Sequence, residues 1–355
     1  MSQLYIAKSR NILQDETNAN ENLTIHEEWE STILFKNENK HKSEYRIECE
    51  FPQAALLKRI LLPLNPSLGG GQHKIAKINV ADYINNQVKN LYYIHMVFDR
   101  NGMMIQSMMK GQSMYTCVRV PRKKLLRYKI TGVDGSEYRD KVDIVIPLQS
   151  LMVCLNMYAQ TSELVLMCDS DDKQVVLSGK CTSSSEYKYA TDAGQPLVCR
   201  LNTLNMGPLA LPFDGSHFSF VDVDYFSISP RLLYPCLHDI ASDSGSNKLV
   251  MELLPLNEEN NKCVLGLASG QSSIAVEWDF SYDENVFDEY NVLTQHLHTY
   301  SMRCWMSVAN GIKLAQQMKI AVKEDGVLLI QMSMMDPISD GIQFYYQMYP
   351  LLHTV

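Results

Sequence analysis

Three groups of carboxylates are the first candidates for chemistry in this chain. Asp169, Asp171 and Asp172 form one, Asp222 and Asp224 a second, and Asp283, Glu284, Asp288 and Glu289 a third. A 3′→5′ nuclease would need such groups to converge from ordered elements on two metal ions about 4 Å apart. All three groups fall in or near expected turns, where acidic side chains are ordinarily solvated. His296 and His298 alternate on an expected strand and so share one face, where they could ligate a metal together. No cysteine or carboxylate accompanies them at ligand spacing. Gly215-Ser216-His217 is a loop tripeptide without the strand–turn–helix setting of a nucleophile elbow. Gly69-Gly70-Gly71 is not followed by Gly-Lys-Ser/Thr, so it is not a phosphate loop. The nine cysteines (Cys49, Cys117, Cys154, Cys168, Cys181, Cys199, Cys236, Cys263 and Cys304) are odd in number, never spaced as C-x-x-C, and mostly set in apolar runs. That pattern reads as buried thiols in a reducing compartment, not as disulfides or a zinc site. No catalytic residue, metal or cofactor is assigned.

The cations tell more. The net charge of −8 argues against a protein that grips nucleic acid by charge alone. The charge is unevenly spread, however. Residues 1–44 carry net −3, residues 45–190 net +6, and residues 191–355 net −11. The densest basic run, VRVPRKKLLRYK, holds Arg119, Arg122, Lys123, Lys124, Arg127 and Lys129. Such a run suits a nucleic-acid patch, an import signal, or a loop facing an acidic partner.

The elements that must position these residues follow from pattern. A length of 355 residues suggests two or three domains. With 46% hydrophobic and 20% charged residues, disorder is excluded as the main state. No run approaches the roughly 18–20 apolar residues of a membrane span, and the first residues have no apolar signal core, so neither feature is expected. Residues 1–44 are polar and Asn/Glu-rich and read as a flexible extension. Tyr45 opens an alternating strand that meets Pro52, the start of a helix over 52–62. Residues 64–90 read as an inserted loop. YYIHMVFD and MMIQSMM alternate around Asn101-Gly102, a hairpin with its turn there. Strands follow at 115–120, 125–131 and 142–147, a helix at 148–159, and strands at 162–169, 174–182 and 185–190. Residues 194–215 read as a connector. The second part then runs strand 225–229, helix 230–242 with a kink or early stop at Pro235, three strands to 279, strand 296–301, and helix 302–310. Strands at 313–322, 327–335 and 341–352 close the chain.

Each half thus reads strand, helix, strands, helix, strands. The helix starts are 95 residues apart in the first half (Pro52 to Pro147) and 71 in the second (Pro230 to Ser301). The excess of 24 is close to the length of the 64–90 insertion. The expected boundaries are an extension at 1–44, one domain at 45–193, the connector at 194–215, and a second domain at 216–355.

Residues 91–121 (LYYIHMVFDRNGMMIQSMMKGQSMYTCVRVP), LLRYKI, VDIVIPLQSLMVCLNMYAQTSELVLMC, KLAQQMKIAVKEDGVLLIQMSMM and GIQFYYQMYPLL carry a resemblance over about residues 45–355. They resemble the DNA sliding-clamp family, and within it the Rad-one-type subunits of the nine-one-one (9-1-1) checkpoint clamp. The resemblance implies an α+β sliding-clamp fold, with two similar β-rich domains, each with two short helices lining a central hole. It implies a non-enzymatic, nuclear subunit of a heterotrimeric ring with Rad-nine-like and Hus-one-like partners. Such a ring is placed by a clamp loader around double-stranded DNA at damaged or gapped sites and supports checkpoint signalling and repair. A homotrimeric replicative clamp is the alternative, and a 3′→5′ exonuclease the second. The DNA-facing candidates are then Lys58, Arg59, Arg231, Arg303 and Lys313; helix 148–159 offers no cation. The partner-groove candidates on the connector are Leu204, Met206, Leu209 and Leu211, which equally suit packing at the domain junction.

Overall fold

The computed structural model describes residues 45–64, 92–109, 113–132, 134–136, 141–170, 172–180, 196–204, 220–243, 246–256, 263–270, 275–334 and 341–351. The expected extension, nearly all of the 64–90 insertion, the 185–190 strand and most of the connector lie outside these residues.

The first half holds nine strands among the described residues: β1 (Tyr45–Phe51), β2 (Tyr93–Asp99), β3 (Gly102–Met108), β4 (Met114–Pro121), β5 (Arg127–Gly132), β6 (Val142–Pro147), β7 (Leu164–Asp169), β8 (Gln174–Gly179) and β9 (Leu197–Asn202). Helix α1 (Ala54–Leu61) follows β1, and α2 (Leu148–Leu155) follows β6. The second half repeats this with β10 (Asp224–Ile228), α3 (Pro230–Asp243), β11 (Lys248–Leu253), β12 (Leu265–Gly270), β13 (Glu277–Phe280), β14 (Phe287–Asn291), β15 (His296–Ser301), α4 (Met302–Ile312), β16 (Ala315–Val322), β17 (Leu328–Met334) and β18 (Gln343–Met348).

The sheets make the repeat explicit. In the first half the orders are β5-β1-β7-β8-β9 and β4-β3-β2-β6; in the second they are β14-β10-β16-β17-β18 and β13-β12-β11-β15. Every strand of the second half stands nine places after its counterpart. Antiparallel pairing of β4 with β18, Val118 opposite Phe344 and Thr116 opposite Tyr346, fuses one sheet of each half into a nine-stranded sheet. Strand alternation sorts the side chains. Ile94, Met96 and Phe98 of β2 enter the main core, while Val97 joins Met104, Tyr115, Cys117 and Tyr345 on the opposite face.

Several elements depart from the sequence pattern for physical reasons. The hairpin turn sits at Arg100-Asn101, one residue early. Asp99 Oδ1 accepts the Asn101 amide at 2.7 Å and sets the turn. Gly102 instead begins β3 at φ 141°, where a Cβ would collide with the Val120 carbonyl oxygen. Helix α2 stops at Leu155 because Tyr158 leaves the helix to bury its ring, donating its hydroxyl to the Leu177 carbonyl at 2.8 Å. Helix α3 is not cut short by Pro235. Proline removes one bond and sits on the exposed face, while Leu233, Leu237 and Ile240 anchor the other face in the core. Residues 197–202, read as connector, form β9, and Phe287–Asn291, read as turn, forms β14.

The starts of α1, α2 and α4 are satisfied by backbone, not by side-chain caps. Ala54 and Ala55 donate to Ser162 O at 2.8 Å and Gln160 O at 3.0 Å. Leu148 donates to Tyr92 O, and Met302 to Asn247 O, both at 2.9 Å. Tyr92 and Asn247 are equivalent positions, each just before its strand.

Candidate nucleic-acid interface

The four helices touch in one row. α2 packs on α1, the 3-10 turn at Leu62–Leu64 that continues α1 packs on α4, and α4 packs on α3. Ser307 of α4 donates its hydroxyl to the Pro63 carbonyl at 3.1 Å, which pins the two halves of the row. The expected DNA-facing cations are distributed along it. Lys58 and Arg59 lie half-buried in the last turn of α1, Arg231 is exposed in the first turn of α3, and Arg303 is exposed in the first turn of α4. Arg303 donates to the Tyr92 hydroxyl at 2.6 Å, so its guanidinium is oriented from the first half. Lys313 caps α4 with its ammonium 4.7 Å from the Tyr234 ring centroid. Helix α2 has no cation, and its Val153 is 51% exposed.

Two strand edges form a second feature, one that sequence pattern did not reveal. By the ninefold offset β13 is the counterpart of β4, and β9 the counterpart of β18. β4 and β18 pair with each other, but among the described residues β13 and β9 each end their sheets. Carrying the register from strand to strand equates Val118 with Trp278 and Phe344 with Leu197. Val118 and Phe344 are fully buried, whereas Trp278 is 38% exposed and Leu197 half-buried. A tryptophan in an alternating strand suggests a core residue, but among the described residues the strand of Trp278 has no counterpart of the neighbour that buries Val118. Glu277 and Asp279 are exposed on β13, and Arg200 on β9.

The basic run is divided by the fold. Arg119 lies on β4 beside Tyr345, across the sheet from the main core. Arg122, Lys123 and Lys124 make a 3-10 turn, and Arg127 and Lys129 lie on β5. Arg127 pairs with Glu48 at 2.7 Å and Glu50 at 3.6 Å. An open pocket of about 720 Å³ is lined by Arg122, Lys123, Arg127 and Lys129, and by Arg100, which the run did not include. Of the connector residues, Leu204 is described: its amide donates to the Val145 carbonyl at 2.9 Å, which lays it along β6. Met206, Leu209 and Leu211 lie outside the described residues.

Of the described carboxylates, Asp169, Asp224, Asp283 and Glu289 hold structure, while Asp172, Asp222, Glu284 and Asp288 are exposed. Asp224 Oδ1 accepts the Leu293 amide at 3.0 Å. Its Oδ2 accepts the Thr294 amide at 3.0 Å, the Thr294 hydroxyl at 2.6 Å and His296 Nε2 at 2.8 Å. Burial pushes this carboxyl up, but the hydrogen bonds from Thr294 and His296 and the two amides outweigh it, and the group sits below the usual carboxylate range. His296 is thus tied to Asp224 and not shared with His298 as a ligand pair. Asp169 pairs with Arg46 at 3.1 Å, and Asp283 Oδ1 accepts the Asn285 amide at 2.7 Å. Asp288 and Glu289 stand on β14, and Glu289 pairs with Lys319 at 2.7 Å. Among the described residues no group of three or more His, Cys, Asp or Glu could hold a metal ion. None of the described cysteines is in a disulfide. Burial pushes Cys236 up to about 11 and Cys168 up to about 12, which suppresses the thiolate form. Trp305 is buried against Tyr300, so it is a core residue.

No family model matches the sequence, and no curated protein matches it. Solved structures do match the fold. Proliferating cellular nuclear antigen from Entamoeba histolytica is similar at TM-score 0.60 and 10% identity, over 86% of this chain and 99% of that one. The PCNA2-PCNA3 complex from Sulfolobus tokodaii is similar at TM-score 0.58 and 10% identity, over 85% and 98%. The chain has the α+β sliding-clamp fold.

Proposed function

We propose that this chain is a non-enzymatic subunit of a ring that encloses duplex DNA. The observation that carries the reading is the pair of edges, β9 and β13. They stand where the internal junction has β18 and β4, so the same junction repeated head to tail would bury Trp278 of one subunit against Leu197 of the next. A heterologous contact whose rotation closes gives a ring. Lys58, Arg59, Arg231, Arg303 and Lys313 on the helix row then meet phosphates without reading sequence. Enclosure holds the DNA, so a few cations suffice.

Within this reading, the ring is a heterotrimeric checkpoint clamp of the nine-one-one type. It has Rad-nine-like and Hus-one-like neighbours, is placed by a clamp loader at damaged or gapped DNA in the nucleus, and supports damage signalling and repair. The likeness of residues 91–121, 313–335 and 341–352 to Rad-one-type subunits supports it. The charges favour a second reading, a homotrimeric processivity clamp: acidic Glu277 and Asp279 on one edge and basic Arg200 on the other suit like-with-like pairing. Sedimentation separates the two. The heterotrimer predicts that the pure chain is not a trimer and that co-expression with two other clamp-like chains gives an equimolar complex. A stable trimer of the pure chain overturns that in favour of the homotrimer. No association in either setting overturns the ring.

A further inference from the structure

The pocket at the hairpin end of β2 and β3 is set apart by its lining. Arg100, Arg122 and Arg127 supply guanidinium groups, Lys123 and Lys129 supply ammonium groups, and among the described residues no acidic side chain lines the wall. Five cations therefore converge on about 720 Å³ in a chain of net charge −8. Arg127 is already paired with Glu48 at 2.7 Å and Glu50 at 3.6 Å on the neighbouring strand, so Arg100, Arg122, Lys123 and Lys129 are the cations left to meet a ligand. The remaining lining is largely apolar: Pro121, Leu125 and Tyr128, with Leu126 58% exposed.

The frame is fixed. The Tyr128 hydroxyl lies 2.7 Å from Asp99 O and 2.5 Å from Gly102 O and shares its one proton between them, which ties β5 to the hairpin end. The Arg122 amide donates to Asn101 O at 2.8 Å, and the Leu126 amide to Glu50 O at 2.8 Å. The backbones that carry Arg100, Arg122 and Leu126 are thus held relative to one another before any ligand arrives, which lowers the ordering cost of binding.

We propose that this pocket docks an acidic, phosphorylated peptide segment of a partner protein, with the phosphate on the arginines and an apolar side chain on Leu126 and Pro121. Arginine forks donate to phosphate oxygens in pairs, and Arg100 and Arg122, flanked by Lys123 and Lys129, suit a dianion. The apolar residues beside the cations, Pro121 and Leu126, favour a peptide over a duplex, whose phosphates would leave Leu126 unused. The site is independent of the ring edges and the helix row.

The test uses fluorescence anisotropy on the full chain with three labelled probes. They are an Asp/Glu-rich peptide with one phosphoserine followed by leucine, the same peptide with serine, and a short DNA duplex. The expected result is binding of the phosphopeptide, weakened about tenfold or more by Arg122→Glu with Lys123→Glu. Leu126→Asp also weakens it, and Lys323→Glu, an exposed reversal outside the pocket and the helix row, leaves it unchanged. All these side chains are exposed, and thermal melts of the variants check that each is folded. Three results overturn the proposal: no phosphopeptide binding, equal binding of the two peptides, or a pocket reversal that lowers duplex affinity and spares the phosphopeptide. The last outcome would make the pocket a DNA surface.

Discussion

Asp224 shows how a residue with catalytic chemistry is spent on structure. Its carboxylate, 10% exposed, gathers Thr294, His296 and the Leu293 amide, and so clamps the segment before β15 onto β10. Asp224→Asn should lower stability near neutral pH by about 2 kcal/mol, because buried donors lose a charged acceptor. The pH dependence has a definite sign. A carboxyl held below its unfolded value of about 3.9 contributes fully above that value and loses its contribution as pH falls through the folded one. The gap between wild type and variant should therefore close below about pH 4, as read by denaturant unfolding across that range. A gap that persists in acid would assign the effect to packing. The sequence marked Asp224 and His296 as chemically able, but their partnership spans 72 residues and exists only where β10 and β15 are brought together.

At the scale of elements, the proposed assembly rests on the two edges. A tryptophan on a four-residue edge strand is costly to leave in water and is the kind of side chain that dominates interfaces. Trp278→Asp should abolish association with neighbouring subunits while leaving the melting temperature of the isolated chain within a few degrees, since the side chain is already 38% exposed. Equilibrium sedimentation and a thermal melt read the two effects separately. The helix row makes a different prediction. Reversing Lys58, Arg231 and Arg303 together should weaken DNA binding by the assembled ring at low salt. It should also flatten the slope of log affinity against log salt by about 0.9 for each phosphate that is no longer neutralised. An unchanged slope would remove these residues from the DNA surface. Strand and helix positions were largely legible, because alternation and a one-sided apolar stripe report burial directly. The early end of α2 and the strands β9 and β14 were not. Tyr158 leaves its helix for a carbonyl on β8, and short mixed strands such as FDEYN acquire their form from the neighbour they pair with.

For the whole molecule, the β4–β18 pairing makes the two halves one unit. Val118, Phe344 and Tyr346 are fully buried at this seam, and the Ser307–Pro63 bond ties the helix row across it. The halves should therefore unfold in a single transition by calorimetry, with van't Hoff and calorimetric enthalpies in agreement. Phe344→Asp should split that transition or abolish folding, because it buries an unpaired charge in the seam. Two separate transitions in the unaltered chain would show that the halves are joined only by the connector.

The sequence by itself determined the repeated order of elements, the buried thiols and the uneven charge. These are properties of neighbours along the chain, and local periodicity records them. It also carried the resemblance that pointed to the fold. Only the tertiary structure decided which cations share a surface, which acids are already spoken for, and which edges stand open. Arg100 joins Arg122 across a hairpin, Asp224 meets His296 across two strands, and Trp278 is exposed because β13 ends its sheet among the described residues. Each of these depends on strand pairing between distant segments, and pairing is a choice among edges that no single segment encodes.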